Sequence, residues 1–330
     1  ISKTPYRVSF LGGGLDFESW FKKKDAYILS MPITYYSYIQ VKILPDDYPF
    51  KYRLRTYLNQ NTNDIDEISN KAVKAGLKYF KINERLEISH FGDLSSRSGI
   101  GSSSSFLVGL IKALDHCVIK KNFSQIEISE LSVIIEKNIL KDNVGYQDQY
   151  GTSNANLKFI KMTSRGISIE EINDIEFIKK IEKTAVIINS GIYRNSSDIH
   201  NIKKTMNQEI DFIKINNEIA LSSSAFYQTF KDGVLDYDFF INSCKYQWKL
   251  KNIKLKKQGL INNKLLKIYK RLDSFGVNAY KNIGAGGGGY ILVMIDDYKM
   301  EDFFLNFSEY FPKKLFIDSV GTRSVNLKDL

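Results

Sequence analysis

The sequence has few of the residues from which disulfide frameworks and zinc centres are built. Its 330 residues include two cysteines and three histidines. Cys117 and Cys244 cannot form a disulfide framework, and so low a cysteine count is typical of a reducing compartment. The histidines do not have the spacing of zinc ligands, and neither do His116 and Cys117, which are neighbours in the chain. We therefore expect neither a disulfide-stabilised fold nor a zinc site.

Long apolar runs are also missing. No window approaches the roughly 18 uninterrupted apolar residues that indicate a membrane-spanning helix. The opening residues, ISKTPYRVSF, lack the basic and then apolar segments of a signal peptide. A content of 43% hydrophobic and 25% charged residues is ordinary for a globular protein. We expect a cytoplasmic protein that does not bind a membrane.

Several familiar motifs are absent as well. No Gly-Lys-Ser/Thr sequence is present, which excludes a Walker A loop. The stretch GIGSSS that begins at Gly99 has serine where a dinucleotide-binding loop needs its third glycine. No Gly-x-Ser-x-Gly sequence indicates a serine hydrolase.

The chain has an excess of basic residues, with a net charge of +10. Such a charge suits nucleic acid, an anionic membrane, or anionic small molecules such as a sugar phosphate and a nucleotide. The densest basic run, Lys251–Gly259, contains no interleaved aromatic residues. We interpret this run as a solvated helix end or loop, and we expect no binding of nucleic acid.

Strand and helix patterns alternate along the chain. An α+β protein with two domains, 1–175 and 176–330, is predicted, because a new unit begins near residue 175. The patterns predict strands at Tyr6–Gly13, Tyr35–Leu44, Arg85–Phe91, Lys183–Gly191 and Tyr290–Ile295; helices at Ile68–Phe80, from about Phe106, and from Ser124 with a capping box to Glu127; and a long helical region at Ser197–Phe275.

The serine-rich stretch Ser96–Phe106 (SRSGIGSSSSF) is either a flexible linker or a loop that holds phosphate. It lies between a predicted strand and an apolar helix. Glycines before a helix leave free N–H groups at one point, where the helix dipole favours an anion. Serine hydroxyls add donors and can ligate Mg²⁺. The position therefore favours a phosphate loop of a non-Walker type.

Three further segments carry residues suited to phosphoryl transfer. In RVSFLGGGLDF, Arg7 and Asp16 flank a glycine turn, either as an exposed salt bridge or as a cation near phosphate and a carboxylate for sugar hydroxyls. Glu136 and Asp148 supply carboxylates of the kind that a metal ion and an attacking hydroxyl require, although surface acids are common. In Ile283–Ile295, glycines precede a buried strand and can pack against the phosphate loop or a substrate; a structural hairpin is the alternative.

Taken in this order, the motifs resemble those of the GHMP family of small-molecule kinases. The phosphate loop of that family is similar to Ser95–Ser104, its N-terminal strand motif to Arg7–Phe17, and its last glycine motif to Gly284–Gly289. The resemblance runs nearly end to end. It implies a two-domain fold, with an N-terminal domain like ribosomal protein S5 domain 2 and a ferredoxin-like C-terminal domain, and an enzyme that uses ATP and Mg²⁺.

The resemblance also implies roles for individual residues. Asp148 would be the base or the orienting group for the attacking hydroxyl, with Arg7 stabilising charge beside it. The remaining roles are binding roles: the ATP phosphates at Gly99, Gly101, Ser102, Ser103 and Ser104; Mg²⁺ at Glu136 with Ser102 or Ser103; the sugar at Asp16, Gly13, Gly14, Gly286 and Gly287; and a phosphate already on the sugar at Arg194.

Within the family, the chain resembles the branch of sugar 1-kinases that act on D-glycero-D-manno-heptose 7-phosphate. This resemblance is carried by PYRVSFLGGGLDF, the serine run Ser102–Ser105, GYQDQYG, SGIYRNSSDI and GAGGGG. It implies a role in nucleotide-activated heptose synthesis for capsule or lipopolysaccharide. The chain departs from the branch at Leu15, Ser95, Arg97 and Tyr146, where threonine, proline, glycine and lysine are usual. A kinase for another sugar, a catalytically silent sugar or nucleotide sensor, and a homodimer remain open.

Overall fold

The computed structural model of the chain describes residues 1–95, 99–192, 210–284 and 286–325. The helices in this part of the chain are α1 (Glu18–Phe21), α2 (Lys71–Tyr79), α3 (Ser102–Leu114), α4 (Gln125–Ile134), α5 (Gln147–Ser153), α6 (Ile175–Thr184), α7 (Ile210–Lys231), α8 (Tyr237–Lys257), α9 (Asn263–Phe275) and α10 (Met300–Asn306). The strands are β1 (Ser2–Leu11), β2 (Ala26–Ile43), β3 (Tyr52–Arg55), β4 (Asn59–Thr62), β5 (Leu86–Gly92), β6 (Lys158–Thr163), β7 (Gly166–Glu171), β8 (Ala185–Asn189), β9 (Ala279–Asn282), β10 (Tyr290–Met294), β11 (Lys313–Lys314) and β12 (Arg323–Ser324).

The first sheet contains eight strands, and β2 is its longest member. The main path runs β12-β1-β2-β5-β3-β4, while β6 pairs with β2 and β7 with β6. All of these pairs are antiparallel except β3 with β5. The register of β1 on β2 shifts between Ser9 and Leu11, where β1 approaches its glycine turn. This irregularity lets the end of β1 bend away from the sheet.

The second sheet is antiparallel, with the order β11-β8-β10-β9. One of its faces packs on α9 and α10, and alternate residues of β8 and β10 point into that core. The other face shares a large core with β1, β2, α6, α7 and α8. Helices α2, α3 and α4 cover the first sheet in a separate core. Two sheets with helices packed on them confirm the α+β class, whereas the domain boundary at 175/176 stays a prediction.

Helix α3 and its π-helical continuation, Ser102–Ile119, are long and apolar enough to cross a membrane by length and composition alone. Within the fold the helix contributes Leu107, Leu110 and Ile111 to the core against the first sheet. The sequence predicted a start near Phe106, and this is wrong by four positions because the helix begins at Ser102. Serines are poor in helix interiors but suit a first turn, where N–H groups lack helical partners.

Candidate active site

The side chain of Arg7 joins two chemically important segments. It lies on β1, is 1% exposed, and donates from Nε and Nη2 to Oδ1 of Asp148 at 2.9 and 2.6 Å. Its Nη1 donates to the carbonyl oxygen of Gly99 at 2.9 Å. The sequence left two alternatives for Arg7: an exposed salt bridge beside the glycine turn, or a cation near phosphate. The exposed salt bridge is wrong. The guanidinium is buried and pairs with a carboxylate far along the chain.

Asp148 lies in the first turn of α5, and its side chain is 31% exposed. Both guanidinium contacts are made to Oδ1, so Arg7 leaves the other carboxylate oxygen for a ligand at this partly open position. A carboxylate held in this way is fixed in direction and still reachable. These are the requirements for orienting a hydroxyl or accepting its proton.

The phosphate loop ends at Gly101, which has φ +75° and is the N-cap residue of α3. Gly99 also has a positive φ, of +84°. Ser102 to Ser105 form the first turn of the helix, with Ser103 exposed and Ser104 buried. The N-terminus of a 13-residue helix thus opens directly onto the loop. The N–H groups of a first helical turn and the helix dipole favour an anion there, as expected for a phosphate loop.

The glycine-rich segment Gly284–Gly289 packs on the phosphate loop through backbone atoms. A Cβ atom at Gly99 would lie 2.4 Å from the carbonyl oxygen of Ile283. A Cβ atom at Gly284 would lie 2.4 Å from the carbonyl oxygen of Gly99. Only glycine at both positions permits this approach, and Gly284 also has φ +65°. The prediction that this segment packs against the phosphate loop is confirmed.

Glu136 is buried next to the serine turn. It is 2% exposed and lies in the π-helical segment Ile135–Ile139 that continues α4. Ser104 donates its hydroxyl to the carboxylate at 3.3 and 3.4 Å, and the Gln149 side-chain amide donates to Oε2. The pKa of Glu136 is raised to about 7, chiefly by burial; the Gln149 bond opposes the rise, and the nearby Asp148 adds to it.

These oxygens fit a magnesium ion. Oε1 of Gln149 is buried and has no hydrogen-bond partner in the described part of the chain. It accompanies the Glu136 carboxylate and the Ser104 hydroxyl, and Mg²⁺ prefers oxygen donors of this kind. No cluster of three or more Asp, Glu, His or Cys side chains that could hold a metal occurs in the described residues. A magnesium ion here would therefore draw further ligands from water and nucleotide phosphates.

Asp16 follows the glycine turn and is 3% exposed. Its Oδ1 accepts from the Gly14 amide at 3.2 Å and its Oδ2 from the Gln147 amide at 3.3 Å. Burial, and next the neighbouring Asp148, raise the pKa of Asp16 to about 6. A Cβ atom at Gly145 would lie 1.8 Å from Oδ2, so that glycine is needed for Asp16 to hold its place. The structure thus brings Asp16 beside the segment that carries Asp148.

Tyr146 occupies the position where the family branch has lysine, and an ammonium group lies beside it. The Tyr146 hydroxyl donates to Glu18 at 2.7 Å and accepts from Lys137 Nζ at 2.9 Å. Lys137 Nζ also donates to Glu18 at 2.7 Å, and it lies 4.5 Å from the centre of the Tyr146 ring. A cation is therefore present near this position, but it comes from another helix and is already paired.

The structure brings most of the residues expected at the site into one region. Glu136 contacts Ser104, and Arg7 contacts Gly99 and Asp148. Asp16 lies near Asp148, and Gly286 packs on Leu255. The metal roles of Ser102 and Ser103 stay predictions, since Ser104 is the serine in contact with Glu136. Gly13, Gly14 and Gly287 are placed but their sugar contacts are untested. Arg97 and Arg194 lie outside the described residues.

Sequence reasoning missed several residues of this region. They are Gln149, which contacts Glu136; Gly145, which accommodates Asp16; and Lys251, which binds the glycine-rich segment. Gln149 lies in the YQDQY segment that was already singled out, so its proximity to Asp148 could have drawn attention to it. Lys251 lies in a basic run, and the composition of that run gave no signal of its partial burial.

Comparisons with known proteins bear on the family and the fold. Residues 67–154 match the family model of the GHMP kinases N terminal domain. The chain is 26% identical over 320 residues to the D-glycero-alpha-D-manno-heptose 7-phosphate kinase of Campylobacter jejuni, covering 90% of each. A D-glycero-D-manno-heptose 1-phosphate kinase from Bacteroides thetaiotaomicron superimposes with a TM-score of 0.77 at 17% identity, over 99% of this chain and 98% of that one. The mevalonate kinase of Methanococcus jannaschii gives 0.68 at 20%, over 99% and 98%.

The matched segment 67–154 includes the phosphate loop, Glu136 and Asp148. Residues 67–154 are thus similar to the N-terminal domain of GHMP kinases, and the chain has the fold of GHMP kinases of known structure, so the resemblance seen in its motifs is confirmed. These comparisons support a kinase with ATP as its phosphate donor.

Proposed function

We propose that the protein is an ATP-dependent sugar 1-kinase that phosphorylates the anomeric hydroxyl of D-glycero-D-manno-heptose 7-phosphate, giving the 1,7-bisphosphate. The observation that carries a phosphoryl-transfer role is the bond of Arg7 to both Asp148 and the carbonyl of Gly99 in the phosphate loop. The heptose substrate is supported by the relative of known name at 26% identity. In this proposal the product supplies nucleotide-activated heptose synthesis in the cytoplasm.

The reaction needs a hydroxyl nucleophile placed in line with the terminal phosphate of ATP. Asp148 orients the anomeric hydroxyl and accepts its proton as the new O–P bond forms and the bond to the leaving ADP breaks. Arg7 offsets charge on Asp148 and on the transferring group. The N–H groups at the start of α3 bind the phosphates, so that positioning and electrostatics supply the catalysis.

The other roles follow from the same arrangement. Asp16 lies near Asp148, where its carboxyl group accepts or donates hydrogen bonds to sugar hydroxyls. Glu136, Ser104 and Gln149 would hold Mg²⁺, which offsets phosphate charge when bound. Arg194 is proposed to bind the 7-phosphate, because a guanidinium group fits phosphate with two bonds. The net charge of +10 suits two anionic small substrates, without nucleic acid or a membrane.

An ADP-release assay with a panel of acceptors tests this proposal. The panel contains heptose 7-phosphate, hexose 6-phosphates and the free sugars, and Asp148→Asn serves as the inactive control. We expect the highest kcat/KM for heptose 7-phosphate, with ³¹P NMR showing the new phosphate on the anomeric carbon. Preference for another sugar would overturn the substrate assignment. ADP release at background level with every acceptor, together with intact ATP binding, would indicate a silent sensor.

A further inference from the structure

One face of helix α8 contacts the backbone of the glycine turn after β1 and of the glycine-rich segment Gly284–Gly289. Gln247 accepts a hydrogen bond from the Gly12 amide at 2.9 Å, and Trp248 Nε1 donates to the carbonyl of Phe10 at 2.8 Å. One turn further along, Lys251 Nζ donates to the carbonyl of Gly284 at 2.8 Å. The helix therefore binds the end of β1 and the glycine-rich segment at the same time.

The Lys251 ammonium group makes two bonds to that segment. Nζ donates to the Asn282 carbonyl at 3.1 Å as well as to the Gly284 carbonyl. Asn282 ends β9, so the lysine fixes the chain at the point where it leaves the second sheet. These bonds hold the carbonyls on either side of the peptide between Ile283 and Gly284, called here the Gly284 peptide. The atoms of that peptide are the ones in backbone contact with Gly99.

From Gly284 the contacts continue to the reacting groups. Gly284 packs on Gly99, the carbonyl of Gly99 accepts from Arg7, and Arg7 binds Asp148. The link between Gly284 and Gly99 is a backbone contact that leaves no room for a side chain. The other links are hydrogen bonds of 3 Å or less. A shift of the Gly284 peptide would therefore move Gly99 and alter the position of the guanidinium.

The electrostatic surroundings place the same ammonium group near the site. Burial lowers the pKa of Lys251 well below its ordinary value, and the neighbouring Lys281 and Arg7 lower it further. Asp16 and Asp148 act in the opposite direction. The interpretation of Lys251–Gly259 as a solvated end is wrong at its first residue, because Lys251 is partly buried and its ammonium group binds two backbone carbonyls.

We propose that Lys251 is a positioning residue for phosphoryl transfer, which holds the Gly284 peptide against Gly99 and thereby sets the phosphate loop and the Arg7–Asp148 pair. Its kinetic effect rests on the proposed kinase function. Its effect on nucleotide binding does not require that the sugar be known.

The test compares Lys251→Met with Lys254→Met. Lys254 is on the same helix, is also partly buried, and donates to Asn216 at 3.2 Å, away from the glycine-rich segment. We expect Lys251→Met to lower kcat by about tenfold or more, because small displacements of reacting groups cost large rate factors. It should also weaken binding of a fluorescent ATP analogue several-fold. Lys254→Met should leave both within about twofold, and Lys251→Arg should restore part of the loss.

A double-mutant comparison separates positioning from general support of the fold. Gly284→Ala disturbs the contact with Gly99 directly, since its Cβ has no room. If Lys251 acts through that contact, the loss in kcat for the double variant should be clearly smaller than the product of the single losses. If the loss in kcat of the double variant equals the product of the losses of Lys251→Met and Gly284→Ala, the proposal is overturned.

The proposed function and this inference can fail separately. If wild-type protein turns over no sugar, the kinase proposal fails, and the ATP-analogue measurement still tests Lys251. If wild-type protein is active and Lys251→Met matches Lys254→Met in kcat and in nucleotide binding, the positioning role is refuted while the kinase assignment stands.

Discussion

The two carboxyl groups on either side of the phosphate loop lie in opposite surroundings. Asp148 is partly exposed and binds the buried guanidinium of Arg7. Glu136 is buried among the neutral groups of Ser104 and Gln149, with a pKa raised to about 7. Within the described residues, the fold thus provides a counter-ion for Asp148 and none for Glu136. In the proposed mechanism, Asp148 acts on the sugar hydroxyl without a metal ion of its own, and Glu136 requires a cation that arrives with the nucleotide.

The comparison predicts its largest effect at Asp148. Asp148→Asn retains the shape of the side chain and removes the negative charge that accepts the proton. We expect kcat to fall by roughly two or more orders of magnitude while the affinity for an ATP analogue changes little. Steady-state kinetics and titration with the analogue check this. Near-normal turnover would remove Asp148 from the mechanism.

The second prediction concerns the buried acid Glu136. Its folded-state pKa lies above the ordinary value of 4.5, so the folded protein retains a proton that the unfolded chain loses. Stability should fall as the pH rises from about 4.5 to about 7. Glu136→Gln removes this dependence and should be the more stable protein at pH 8, by at most about 3 kcal/mol. Its advantage should nearly vanish at pH 4.5.

Urea unfolding at three pH values, without nucleotide or Mg²⁺, measures this effect. The same substitution should reduce activity at least tenfold, because a carboxylate that would ligate Mg²⁺ is lost. A Glu136→Gln variant that is less stable than wild type at pH 8 would contradict the assignment of Glu136 as an uncompensated buried acid.

A smaller effect on kinetics is predicted at Gly145, which lies between Glu136 and Asp148 in the sequence. Gly145→Ala introduces a Cβ atom that would lie 1.8 Å from Asp16, so the Asp16 carboxylate must move. We expect KM for the sugar to rise about five- to tenfold, with KM for ATP changed less. Gly76→Ala in α2, where the nearest atom is 3.4 Å away, is the control for added volume. Equal rises in both KM values would separate Asp16 from sugar binding.

The smallest effect is expected at Tyr146. Tyr146→Phe removes a hydroxyl that bonds Glu18 and Lys137 but preserves the ring that packs on Phe21. Glu18 and Lys137 remain paired with each other, at 2.7 Å. Steady-state kinetics should show kcat and both KM values within about threefold of wild type. A larger change would mean that this departure from the family branch belongs to the catalytic apparatus.

Much of the site could be predicted from the sequence because its glycines and serines have backbone roles. Gly99, Gly101 and Gly284 have positive φ angles that glycine adopts readily, so their positions in the chain indicate the loops. The start of α3 was misplaced because helix propensity disfavours serine, whereas a helix N-terminus accepts it. Lys251 was missed because a basic run does not reveal which of its lysines faces the core.

The sequence by itself determined which chemical groups are present and in what order: a basic strand, a serine-rich loop, two acids and a last glycine segment. Tertiary structure alone decided which charges pair. Arg7 and Asp148 are separated by 141 residues, and no local rule connects them. Burial raises the pKa of Glu136 and lowers that of Lys251. This burial also arises from packing between distant elements, since desolvation depends on everything that surrounds a group in the fold.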